Sequence, residues 1–144
     1  MQYNRSSHSV YYLRYHIVWV CKYRRKVLKP DVVAYLKKTL PILLRSLPGV
    51  SLEEIGFDRD HLHMVLNIPP KYAVSDVMGN LKSRSASRLR KKFVWLDDVY
   101  WDERVNVFWS TGYFVSSIGI DEETTKKYVK HQGRRDSGQE RLRM

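Results

Sequence analysis

The chain has 144 residues, enough for one domain with a real hydrophobic core and too few for several. A hydrophobic fraction of 43% excludes a disordered chain, and a single cysteine, Cys21, excludes an intrachain disulfide or a cysteine-rich zinc site. The 26 Lys and Arg residues against 15 Asp and Glu leave a formal net charge of +11, which favours a polyanionic partner, nucleic acid ahead of membrane.

Residues 10–20 alternate: Leu13, Tyr15, Ile17 and Trp19 fall on one side, and Tyr12, Arg14, His16 and Val18 on the other. That pattern predicts a strand with one strongly apolar face. Its apolar run is interrupted by Arg14 and His16 and is too short to span a bilayer, and no signal peptide is visible, so a soluble, cytoplasmic protein is expected. Cys21, set in this apolar strand, is expected to be an inert buried thiol. A basic turn, KYRRK, follows. Residues 31–47 carry Val32, Tyr35, Leu36, Leu40, Leu43, Leu44 and Leu47 near helical spacing. Pro41 should kink this helix or split off its final turn, and Pro48-Gly49 should end it. A second strand is predicted over 50–57, then a polar turn (58–60) and a third strand closed by Pro69-Pro70.

Residues 74–93 read as a second long helix with an apolar stripe of Met78, Leu81, Leu89 and Phe93. A loop rich in charge and aromatics leads to a last strand over about 107–118. Residues 121–132 carry strong helix punctuation: Asp121 as N-cap, Glu122 and Glu123 in the first turn, Lys130 and His131 in the last, and Gly133 beyond. The functional domain is expected over 1–133, with 134–144 a flexible basic tail. The order strand, helix, strand, strand, helix, strand suggests an α+β, ferredoxin-like or RRM-like βαββαβ sandwich with an additional C-terminal helix. Helices would cover one sheet face and leave the other for a ligand.

The third strand, within DRDHLHMVLNIPP, is the first informative stretch. Alternation puts His61 and His63 on one side with Val65 and Asn67, while Leu62, Met64, Leu66 and Ile68 form an apolar face. Two imidazoles on one side of a strand can share a cation. They can equally be ordinary polar-face histidines, and the pair alone does not decide.

The second stretch is KKYVKHQ. Tyr128 and Gln132 are four residues apart and project from one helical face. Alone they read as a packed tyrosine and a solvated glutamine. Together with the histidines they supply two imidazoles, one amide oxygen and a phenol. Imidazoles and an amide oxygen can hold Mg²⁺ or Mn²⁺ with positions open for phosphate oxygens. A phenol can attack the phosphorus and form a covalent phosphotyrosine.

Three stretches extend this pattern over nearly the whole chain: HIVWVCKYRRKVL, DRDHLHMVLNIPPKYAVSDVMGNLKSRSASRLRKKF and FWSTGYFVSSIGIDEETTKKYVKHQ. In them the chain resembles the small single-tyrosine HUH transposases of bacterial and archaeal insertion sequences, of the TnpA type. The resemblance implies that His61 and His63 are metal ligands, Gln132 a third ligand and Tyr128 the nucleophile. It also implies single-strand DNA transposition by a homodimer that recognises hairpins near the element's ends and proceeds through a 5′-phosphotyrosine. The tyrosine helix would dock on the neighbouring subunit, with Gly119 as its hinge. The alternatives are a domesticated relative that processes repeated palindromes and a non-catalytic RRM-like nucleic-acid-binding module.

Two basic groups are candidate DNA contacts. Lys22, Arg24, Arg25 and Lys26 sit at a strand end and could grip a hairpin backbone. Arg84, Arg88 and Lys91 make a stripe on the second long helix that reads either as a phosphate track or as a solvated face. His16 could approach the metal, although a structural or supporting role is preferred. Trp95, Trp101 and Trp109 could stack on bases, but core or dimer packing is the preferred reading for each, and Tyr113 and Phe114 are expected in the core.

Overall fold

The structure is a computed structural model that describes residues 13–118, together with two short strands at 4–5 and 10–11. The expected helix over 121–132, Gly119, Tyr128, Gln132 and the tail over 134–144 lie outside the described residues.

Strands β1 (Asn4–Arg5) and β2 (Val10–Tyr11) form a two-stranded ribbon. The alternating run that follows is β3 (Arg14–Val20), so the predicted strand over 10–20 is two strands. Helix α1 spans Pro30–Leu43. Pro30 stands at its start, where a missing N–H costs nothing, and the Asp31 carboxylate accepts from the Val32 N–H at 2.9 Å. Pro41 cannot donate to the preceding turn, and two residues beyond it, after Leu43, the α-helix gives way to a 3₁₀ turn, Leu44–Ser46. Gly49, at φ +94°, reverses the chain there. Strand β4 (Ser51–Phe57) and strand β5 (His61–Asn67) form a hairpin, and α2 runs over Val74–Lys92.

The segment after α2 departs from expectation. It contains a short helix, α3 (Leu96–Val99), and the last strand, β6, covers only Phe114–Ile118. Residues 107–113, predicted as strand, instead touch the sheet through one isolated bridge, Cys21 to Trp109. Side chains of α2 take the backbone partners a ladder would have supplied. Lys82 donates to the carbonyls of Ser110 and Gly112, and Arg90 donates to those of Arg104 and Val107.

The four main strands lie in the order β4-β5-β3-β6, all antiparallel. This is the ferredoxin-like arrangement of an α+β fold. Helices α1 and α2 cover one face, where Ile17, Trp19, Leu62, Met64 and Leu66 meet Leu36, Leu40, Met78 and Leu81. Trp19 is fully buried, edge-on to Trp109 with ring centres 5.2 Å apart, and its indole N–H points at Met78 Sδ. Trp109 is therefore core, as preferred above. Trp95 is half-buried against Phe93, whereas Trp101 is 78% exposed and is not a core residue. Tyr113 packs partly buried against the core. Cys21 is fully buried, and burial pushes its thiol pKa up, as an inert thiol requires. Among the described residues no helix is long and apolar enough to cross a membrane.

The opposite face is less open than the topology alone suggests. Val18, Val20 and Phe114 form a second apolar cluster on it, and Val65 and Asn67 are buried there. Phe114 is thus buried, but on the face away from the helices. The accessible part is the end that carries His61 and His63.

Candidate active site on the open sheet face

Register brings the histidines together. His61 pairs with Val20, His63 with Val18 and Gly56, and His16 with Val65. The centres of the His61 and His63 rings are 6.3 Å apart, tilted by 42°. Two imidazoles that share an ion at about 2.1 Å per bond have centres no more than about 6.5 Å apart. At 6.3 Å the pair lies just inside that limit, which is reached only when the two bonds are nearly opposed; rings at adjacent coordination positions would have to close to about 5 Å. Among the described residues no group of three or more His, Cys, Asp or Glu is arranged to hold a metal ion.

Each ring is fixed by its neighbours. Asp60 Oδ1 lies 2.9 Å from Nδ1 of His61, and Asp58 Oδ2 lies 3.0 Å from its Nε2. With Nδ1–H donated to Asp60, Nε2 is the nitrogen left for a cation. The exposed Asp58 carboxylate occupies that position. Asp60 is steadied in turn by Arg24, whose Nε is 3.4 Å from Oδ2.

His63 lies between His16 and Gly56. The His16 and His63 rings stack with centres 6.0 Å apart and planes 16° from parallel. Burial, and next the charge of His61, holds His63 below the ordinary imidazole pKa against the opposing pull of Asp58 and Glu54. Burial, and next His63, lowers His16 in the same way. Both rings are therefore neutral at pH 7, the form a metal ligand needs. His16 Nε2 is buried without a hydrogen-bond partner. Its stacking on His63 places His16 as a support for that ring.

The proposed DNA contacts have separate fates. In the turn after β3, Arg24 is committed to Asp60, while Lys22 and Arg25 lie over the ring of Tyr23 and Lys26 is exposed. On α2, Arg84 donates to the Leu43 carbonyl, Ser46 Oγ and Asn80 Oδ1, so it closes the end of α1. Arg88 and Lys91 remain exposed. Tyr128, Gln132 and Gly119 are outside the described residues.

The sequence reading missed Gly56, Asp58 and Asp60. A glycine inside a predicted strand marks a close approach by another group, which was a usable signal. The two aspartates were read as turn residues only.

A ferredoxin-like sheet thus presents a carboxylate-clamped His-x-His pair beside its edge strand β4. The profile of the family described as "Transposase IS200 like" matches residues 9–132. The chain belongs to this family of single-tyrosine, TnpA-type transposases. It is 34% identical to the transposase for insertion sequence element IS200 of Salmonella typhimurium, over 94% of this chain and 87% of that protein. It is 28% identical to the ISDra2 transposase TnpA of Deinococcus radiodurans, over 85% and 86% of the two chains. Among solved structures, a candidate transposase from Deinococcus radiodurans R1 superposes with a TM-score of 0.73 at 27% identity, over 90% of this chain and 97% of the other. A REP-associated tyrosine transposase bound to a REP hairpin superposes at 0.55, over 88% and 68%; at 14% identity that likeness is one of fold.

Proposed function

We propose that this transposase nicks and rejoins single-stranded DNA at hairpin-bearing element ends, with His61, His63 and Gln132 as ligands of a divalent cation and Tyr128 as nucleophile. The observation that carries the reading is the His61–His63 pair, 6.3 Å apart and fixed by Asp60. The strand itself sets that spacing; what supports the reading beyond it is that Asp60 and Asp58 hold His61 while Gly56 and His16 enclose His63. The hairpin substrate belongs to the same proposal; a neighbour of the same fold is bound to a REP hairpin.

A bound Mg²⁺ or Mn²⁺ supplies Lewis-acid polarisation of the scissile phosphodiester. The Tyr128 phenol loses its proton and attacks phosphorus. The bond to the 3′ oxygen breaks, that oxygen takes up a proton and leaves as a 3′-hydroxyl, and the 5′ phosphate stays on the protein as phosphotyrosine. A 3′-hydroxyl reverses the step to join strands, so no external energy source is needed. The proposal includes a homodimer in which the tyrosine helix, hinged at Gly119, serves the partner's histidines.

The test is incubation with labelled single-stranded hairpin DNA and Mn²⁺, followed by denaturing electrophoresis. The wild type should give a covalent adduct and Tyr128→Phe none, with hairpin binding retained. Cleavage by Tyr128→Phe would mean another nucleophile, and no adduct from the wild type would favour the non-catalytic binding module. Mixing Tyr128→Phe with His61→Ala subunits should restore nicking if sites are composite, because one site in each mixed dimer is then intact. A mixture that exchanges subunits yet stays inactive would rule the exchange out.

A further inference from the structure

Two successive residues, Tyr23 and Arg24, hold left-handed backbone angles, φ +59° and +53°. Neither is glycine, and such a conformation is unfavourable for a bulky side chain unless its surroundings require it. The consequence of the turn is a division of labour. Arg24 folds back onto Asp60, the carboxylate that holds His61. Tyr23 faces outward, 55% exposed. Its phenol donates to the Glu103 carboxylate across the sequence. Lys22 Nζ and the Arg25 guanidinium lie over the ring, 5.4 and 5.6 Å from its centre.

Tyr23 is three residues beyond Val20, which faces His61 across the ladder. It is thus at most about 11 Å of backbone from the position opposite that histidine. An exposed aromatic ring tethered at its hydroxyl, with two cations over it that a polyanion could draw away, belongs to neither apolar cluster of the fold. It suits something that stacks and carries negative charge. Lys22 and Glu103 also line a cleft of about 640 Å³ between α2 and residues 103–112, which would give a strand leaving the ring a polar path.

Building on the DNA strand-transfer reading above, we infer that Tyr23 is a stacking platform for one unpaired base of the bound strand, with Lys22 and Arg25 on the phosphates flanking that base. Every base has a π-face, so the contact tolerates sequence, and the neighbouring cations add backbone attraction. The tether to Glu103 reduces the freedom lost when a base docks. Arg24, in the same turn, links the occupied platform to Asp60 and so to the histidine beside the scissile phosphate.

The test uses two fluorescein-labelled strands of about sixteen nucleotides, an oligothymidylate and an abasic oligomer of equal length, bound in the presence of chelator and followed by anisotropy. The two carry the same phosphates and differ in bases. The wild type should prefer the oligothymidylate by about tenfold. Tyr23→Phe should keep that preference. Tyr23→Leu, which faces the same backbone strain, should lose it while binding the abasic oligomer as the wild type does. Trp101→Leu serves as the exposed-aromatic control and should behave as the wild type. The inference is overturned by a preference that survives Tyr23→Leu, by an equal loss for both oligomers, by a loss confined to Trp101→Leu, or by a wild type that binds both strands alike. A wild type that binds neither strand would instead remove the DNA reading on which the platform rests.

Discussion

A methyl group on Gly56 would lie 2.5 Å from Cε1 of His63 and 2.8 Å from its Nε2. The imidazole occupies the space that any other residue's Cβ would fill. With His16 stacked at 6.0 Å, this leaves His63 little room to turn. Gly56→Ala should therefore displace the ring while leaving the sheet assembled. Mn²⁺ affinity, measured by titration calorimetry without DNA, should fall on the order of tenfold or more. An unchanged affinity would show that the contact with Gly56 does not set the ring.

Asp60 holds His61 through Nδ1, 2.9 Å away. Asp60→Asn keeps the shape but can no longer fix the tautomer, and metal affinity should drop by about 10-fold to 100-fold. The His61 ring nitrogens, followed by ¹⁵N NMR, should show a mixture of tautomers in the variant. A single tautomer identical to the wild type's would sink the assignment.

Arg84 and its neighbours on α2 should separate by phenotype. Arg84→Ala removes contacts to the Leu43 carbonyl at 3.3 Å and to Ser46 Oγ at 2.6 Å, so it should destabilise the fold by about 1 kcal/mol. Arg88→Ala and Lys91→Ala should leave stability almost unchanged. If they touch phosphates, each should reduce the salt dependence of DNA binding by about one counterion. Denaturant titrations and anisotropy at several salt concentrations distinguish the two behaviours.

Burial lowers Lys82 from its usual 10.5 to about 8. Between those values the unfolded chain binds the proton that the folded chain has released, so stability rises with pH across that window. Below about 8 both states are protonated and the burden of burying the charge is constant. Above 10.5 both are neutral and the burden is gone. The stability of the wild type relative to Lys82→Met should thus increase from pH 8 towards pH 10.5. A flat or falling difference in chemical denaturation would contradict the burial of the ammonium.

Alternation and helical spacing sufficed for α1, α2, β4 and β5, because each buries one face against the same core and its pattern is local. The same alternation put His61 and His63 on one side of β5, since strand geometry leaves no other choice. Residues 107–113 misled because Val107, Trp109 and Tyr113 look strand-like, yet α2 captures their backbone through Lys82 and Arg90. Such side-chain capture has no period to read. The distances that make a site of the histidines were likewise decided by tertiary structure: Gly56 comes from the neighbouring strand, His16 from the other side, and Arg24 from a left-handed turn that meets Asp60. Sequence determined which residues face the same way. Only the pairing of β4, β5 and β3 decided which of them touch, because contact across strands depends on register, which sequence spacing within one strand does not contain.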